Sequence, residues 1–121
     1  MNRKFFVPFE TAKQLKENGY PQLDNEWYYN SNGEIKLYQD LDEGYKEECP
    51  IMLAHYYFAA PTYHEVVDWL EGKGIIITVE SDVIGDYRSQ FNTTTREYLS
   101  KWFSTREEAL NAAILKALEI I

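Results

Sequence analysis

Apolar side chains recur at helical spacing in three stretches of the chain and at alternate positions between them. The clearest stretch is Ala60-Pro61-Thr62-Tyr63-His64-Glu65-Val66-Val67-Asp68-Trp69-Leu70. Thr62 with Glu65 three residues on forms a capping box, in which each side chain satisfies a backbone donor of the first helical turn. Tyr63, Val66, Val67 and Leu70 then define a buried stripe, and Gly72 and Gly74 end the helix. Ile75, Ile77 and Val79 alternate with Ile76, Thr78 and Glu80, and this β-branched run predicts a strand. Tyr87 to Asn92 and Glu97 to Phe103 predict two more, separated by a turn at Thr93-Thr94-Thr95. Ser104-Thr105-Arg106-Glu107 matches a second capping box, and the helix it opens runs to Ile121 with Leu110, Ala113, Ile114, Ala117, Leu118 and Ile121 on one face. From Thr62 onward the order is therefore helix, three antiparallel strands, helix. Duplex-RNA readers share that order, as do many unrelated α+β modules.

The first half is slighter. Pro8 suits a first helical turn, where a missing N–H costs nothing, and the helix from Phe9 to Asn18 carries a narrow stripe of Phe9, Ala12 and Leu15. Asn18-Gly19 stops it. A hairpin follows, with Glu26–Tyr29 and Glu34–Tyr38 flanking Asn30-Ser31-Asn32-Gly33, residues that accept the positive φ of a tight turn. Strand alternation sends Trp27 and Tyr29 to one face and Tyr28 to the other, so one face should pack and the other stay wet. Residues 40–48 hold five acids and one base and read as a solvated loop, and 50–58 is an apolar run compatible with a strand or a buried approach to the central helix. The expected fold class is α+β, three helices with antiparallel strands. It forms one domain over 1–121, with a helix plus hairpin over 1–59 and an αβββα unit over 60–121.

Charge narrows the functions such a fold can serve. The 121 residues carry 20 acids against 12 Lys and Arg, a net charge of −8, and each half holds 10 acids and 6 bases. Non-specific nucleic-acid binding draws on a basic stripe that neutralises phosphates, and none is present, so no nucleic acid is expected as a partner. Anionic membranes repel the chain for the same reason, and its first apolar run stops at Pro8, too short for a secretory core. No membrane association is expected, and a cytoplasmic setting is. The single cysteine, Cys49, rules out an internal disulfide.

Individual motifs are weak. His64-Glu65-Val66-Val67-Asp68 resembles the zincin helix motif, since His64 and Asp68 share a helix face. Glu65, however, is already used by the capping box, and His55 is the only other histidine, so no metal site is expected. Cys49 follows Glu47-Glu48, which raise a thiol pKa where a nucleophile needs it lowered. Gly72-Lys73-Gly74 ends a helix instead of opening one, so it cradles no phosphate. No cofactor is expected. A small hydrolase or nuclease whose carboxylates converge only in three dimensions stays open as an alternative, as does a nucleic-acid-linked αβββα module, disfavoured by charge.

Aromatic residues make up 16% of the chain, and Trp27, Tyr28, Tyr29, Tyr38, Tyr45, Tyr56 and Tyr57 gather in the half that holds the acidic loop. Such residues anchor protein interfaces, fill the rim of a small core or, less favoured here, stack on sugars. In the last helix Leu115 lies ~140° from Leu110 at ~100° per residue, and Ile120 also falls off the stripe. The pair marks an edge for a weak homodimer.

Three stretches carry a family resemblance: Phe6-Val7-Pro8-Phe9-Glu10 leading to Leu15-Lys16-Glu17-Asn18-Gly19-Tyr20; Ala60-Pro61-Thr62-Tyr63 leading to Val67-Asp68-Trp69-Leu70; and Arg106-Glu107-Glu108-Ala109-Leu110 leading to Ala112–Leu118. Together they resemble a group of small uncharacterised proteins encoded by phages and mobile elements of gut Bacteroidetes. The resemblance spans nearly the whole chain and implies a context without an activity. The expected function is that of a non-enzymatic accessory protein that binds another protein.

Overall fold

The computed structural model describes residues 5–41 and 56–121, which pack as two compact units, Phe6–Pro61 and Thr62–Ile121 joined by Phe5. Among the described residues there are three α-helices and two three-stranded antiparallel sheets, an α+β fold.

In the first unit, helix α1 (Phe9–Glu17) buries Thr11, Ala12 and Leu15. Pro8 takes the N-cap position, one residue ahead of the expected first turn, and its carbonyl accepts from Ala12 N at 2.9 Å. Gly19, at φ +91°, closes the helix, with Tyr20 N donating to Leu15 O at 2.9 Å. This is the Schellman arrangement, which needs a residue without a Cβ at its left-handed position. Strands β1 (Trp27–Tyr29) and β2 (Ile35–Leu37) form the hairpin, with Tyr29 opposite Ile35. Its turn is tied by Asn30 Oδ1, which accepts from Asn32 N and Glu34 N at 2.9 and 3.0 Å. Gly33 is required twice over: its φ is +82°, and a Cβ there would lie 3.0 Å from the Phe9 ring. Strand β3 (Phe58–Ala59) pairs with the other side of β1, giving the order β2-β1-β3. The strand alternative for 50–58 thus holds at Phe58, while residues 50–55 lie outside the described residues.

On β1 neither face is wet, and the exposed position of the hairpin strands falls at Lys36 on β2. Tyr28 is 0% and Tyr29 4% exposed, because α1 and its approach lie against one face of β1 and the 22–25 loop against the other. Tyr29 sits 5.4 Å from Phe9 and donates its hydroxyl to Val7 O at 2.6 Å. Tyr28 points the other way, donates to Gln22 O at 2.9 Å and accepts from Asn25 N at 3.2 Å.

In the second unit, helix α2 (Tyr63–Glu71) starts at the complete Thr62/Glu65 capping box and buries Tyr63, Val66 and Leu70. It ends as α1 does, with Gly74 at φ +87° and Ile75 N donating to Leu70 O at 3.0 Å. Strand β4 (Thr78–Ser81) begins later than the alternation suggested, although Ile75 and Ile77 still point inward and Ile76 outward. Strands β5 (Tyr87–Asn92) and β6 (Glu97–Leu99) complete a sheet of order β4-β5-β6. The third strand is shorter than expected. Past Leu99 the ladder breaks, Ser100 Oγ takes the bond from Ser89 N at 2.9 Å, and pairing resumes only as a single bridge between Tyr87 and Phe103. Helix α3 (Arg106–Leu118) lies on this sheet, mainly over β5. Its cap is Thr105, not Ser104. Thr105 Oγ1 accepts from Glu108 N at 3.1 Å, and that register turns Ala109, Ala113 and Ala117, all 0% exposed, toward the sheet.

Candidate functional site

A groove of ≈ 780 Å³ lies within the second unit. Its walls come from three segments. Helix α2 supplies Tyr63, His64 and Val67, strand β4 and its approach supply Ile77, Thr78 and Val79, and the first turns of α3 supply Arg106, Glu107 and Leu110; Phe5 and Thr62 complete the lining. The floor is apolar. Ile77 is buried, Val67, Val79 and Leu110 are half-buried, and Phe5 leaves 56% of its surface exposed. The rim is polar, with exposed His64 and Arg106 and half-buried Glu107.

Two helix N-termini open at this groove, and each carries a carboxylate of its own in the first turn. Glu65 Oε1 accepts from Thr62 N at 2.9 Å and from Thr62 Oγ1 at 3.0 Å. Glu108 Oε1 accepts from Ser104 Oγ and Thr105 Oγ1 at 3.0 and 2.9 Å. A negative side chain in the first turn satisfies the macrodipole that an anionic ligand would otherwise answer. His64 Nε2 lies 3.4 Å from Asp68 Oδ2, with both side chains well exposed. Among the described residues no three His, Cys, Asp or Glu side chains gather as metal ligands would. The groove suits apolar side chains held between polar margins.

Strand β4 runs along this groove as an edge strand. Asp82 N donates to Asp86 O and Tyr87 exchanges both its bonds with Phe103, a phase that aims the backbone groups of Thr78 and Glu80 at β5 and those of Val79 and Ser81 outward. Beyond β4 the chain turns through Asp82-Val83-Ile84-Gly85-Asp86. Asp82 Oδ1 accepts from Ile84 N at 3.1 Å and Asp86 N at 2.8 Å, and Gly85 takes φ +91°. The turn is firmly tied, yet its tip is apolar: Val83 is 103% and Ile84 79% exposed.

The residues singled out from the sequence fare unevenly. Tyr28 and Tyr29 are core side chains and present nothing to a partner. Trp27 and Tyr38 are half-buried, Trp27 edge-on to Phe6 at 5.6 Å and Tyr38 6.1 Å from Tyr28. Tyr56 is 47% exposed, and Tyr57 is half-buried, its carbonyl accepting from Lys16 Nζ at 3.2 Å. That lysine also lies 4.5 Å from the Phe58 ring, and burial lowers its pKa. Tyr45, Cys49 and His55 lie outside the described residues. Of the six described aromatic residues in this set, two are therefore core and four reach the surface at least in part. Leu115 and Ile120 are both half-buried, and neither is among the strongly exposed apolar residues. Strong apolar exposure falls instead on Val83 and Ile84, which the sequence does flag: two β-branched residues between aspartates, where a turn is ordinarily polar.

No protein family, curated protein or solved structure matches the chain. Among the described residues no helix is long and apolar enough to cross a membrane.

Proposed function

We propose that the protein is a non-enzymatic binding protein that holds a segment of a protein chain in the groove between α2, β4 and α3. One observation carries this reading: an apolar floor lies beside an outward-facing strand edge. Main-chain bonds to such an edge supply affinity, and adjacent apolar pockets take alternate side chains of the added segment. The helix termini that would attract a phosphate or carboxylate already carry acidic side chains in their first turns, which favours an apolar segment over a small anion. The resemblance to proteins of phages and mobile elements adds a setting, that of an accessory protein acting in the host cytoplasm.

The test is a photo-crosslinking amino acid at Phe5, an exposed aromatic position on the groove, in cells that express the protein. Protein adducts should form there, should be lost with Leu110→Glu, and should not form from the same probe at Gln90 on the open face of β5. Adducts equal at both positions, or none at Phe5, refute the proposal.

A further inference from the structure

We infer that the second unit carries a further binding site, for a small organic carboxylate with an apolar body, at the end of the sheet opposite the β4–β5 turn. A trough of ≈ 710 Å³ opens there between the end of α2, the β5–β6 turn and the end of α3. That size falls among small-molecule sites, which span about 300–1,000 Å³. No residue lines both this trough and the groove between α2, β4 and α3, so the two sites are separate. The lining is unlike the chain as a whole. The chain carries 20 acids against 12 Lys and Arg, yet among the described residues the trough is lined by Lys73 and Arg96 and by no Asp or Glu. Neither cation is neutralised by a described residue. The Lys73 ammonium lies 4.8 Å from the centre of the Trp69 ring, and the Arg96 guanidinium makes no ion pair or hydrogen bond. Of the acids close by in sequence, Glu119 pairs with Lys116 at 3.2 Å and Glu97 lines an adjoining depression.

The remaining donors select the anion. Backbone N–H groups of the β5–β6 turn are spent inside it: Thr93 N donates to Arg96 O at 2.8 Å, and Thr95 N and Arg96 N donate to Thr93 Oγ1 at 3.4 and 3.0 Å. On the α2 side, Gly74 N donates to Glu71 O at 2.9 Å and Ile75 N to Leu70 O at 3.0 Å. No nest of successive N–H groups is left for a phosphate. The C-terminal ends of α2 and α3 both border the trough, and their dipoles disfavour a multiply charged ligand. What is left to bind with is the planar fork of Arg96, which meets one carboxylate through two parallel bonds, the point charge of Lys73 and the hydroxyls of Thr94 and Thr95. Ile75, Ile120 and Ile121 form the apolar wall, and Ile121 leaves 44% of its surface in water. A bare anion leaves that wall uncovered, whereas a carboxylate on a hydrocarbon body covers it.

The test is an NMR titration of the isotope-labelled full chain with octanoate at low salt, where exposed charges are least screened. Acetate carries the head group alone, octanol the body alone, and inorganic phosphate a competing anion. Octanoate should saturate with a Kd of about 1 mM or below, shift the amides of Gly74, Thr94 and Arg96, and bind at least about fivefold tighter than each of the three controls. Arg96→Gln should weaken octanoate at least about fivefold, and Thr95→Glu, which sets a carboxylate in the trough, should do the same. Both positions are exposed, so the rest of the spectrum should keep its place and report an intact fold. Arg106→Gln, in the separate groove, should leave octanoate binding unchanged. The inference is overturned by an absence of saturation, by octanol or phosphate binding as tightly as octanoate, or by octanoate binding that is indifferent to Arg96→Gln.

Discussion

Tyr28 decides between an aromatic surface and an aromatic core in the first unit, and its hydroxyl allows a clean test. The side chain is 0% exposed, and the one hydroxyl serves two backbone groups of the preceding loop, donating to Gln22 O and accepting from Asn25 N. Tyr28→Phe leaves the ring packing untouched and removes both bonds. A net hydrogen bond contributes about 1 kcal/mol, and a stranded buried partner costs somewhat more. Both partners are only part-buried, so water recovers some of the loss, and the expected destabilisation is about 1.5 kcal/mol. Urea unfolding followed by circular dichroism should show a lower midpoint with an unchanged slope. The pH dependence adds an independent arm. Burial raises the Tyr28 pKa above its ordinary 10.0, outweighing the hydrogen bonds with Asn25 that lower it. A raised folded pKa gives stability that is whole below the unfolded value and is lost as pH climbs through the folded one. The gap between wild type and Tyr28→Phe should therefore narrow above pH 10. The Tyr98 pKa is likewise raised by burial, but Tyr98 is present in both proteins and cancels. A midpoint shift equivalent to less than about 0.5 kcal/mol, with the gap flat in pH, would mean that the hydroxyl does not hold the loop.

Four further outcomes can be checked by the same unfolding measurements. Thr62→Ala removes the α2 cap and should cost about 1 kcal/mol, with Thr62→Ser restoring most of it. Gly33→Ala forces a Cβ against the Phe9 ring in a left-handed backbone and should cost more than about 1 kcal/mol, visible as an earlier thermal transition. Ile114→Ala, at a fully buried position on α3, should cost about 2–5 kcal/mol by cavity formation. His64→Ala breaks only a well-exposed i,i+4 pair with Asp68 and should change stability by less than about 0.5 kcal/mol.

What was legible in the sequence is what a short stretch decides by itself. The Thr62/Glu65 box, the Gly19 and Gly74 stops and the Asn30–Gly33 turn each fix their own backbone within a handful of residues, and the structure has them all. Tyr28 departs from the alternation because its burial is not local: the loop from Gln22 to Asn25 folds over its face of β1 and bonds its hydroxyl. At α3, Ser104/Glu107 and Thr105/Glu108 both fit a capping box, and only packing against the sheet chooses the second. That packing uses Ala113 and Ala117, which the helical spacing does place on the inner face, and Ala109, a small residue that a search for large apolar side chains passes over. It turns the inner face away from Leu110 and leaves Ile121 44% exposed. The groove was not legible, since its lining comes from Phe5, the 62–67 turn, the 77–79 strand and the 106–110 turn.

The shared αβββα order shows how little topology fixes about partners. A helix that meets phosphates needs free N-terminal donors and an excess of cations at that end. The first turn of α3 offers Arg106 against Glu107 and Glu108, and Glu108 already accepts from the two hydroxyls at the cap. On the open face of the sheet, Arg88 is held by Glu80 and lies 4.5 Å from the Trp102 ring, so that cation too is engaged within the fold. Among its described residues, the unit presents main chain and hydrocarbon without a shown partner: the outward edge of β4, the groove floor and the Val83–Ile84 tip. Another polypeptide can satisfy an edge, a groove and a tip together, and a charged polymer cannot. That imbalance, more than the order of its elements, is why the second unit is read as a protein-binding module.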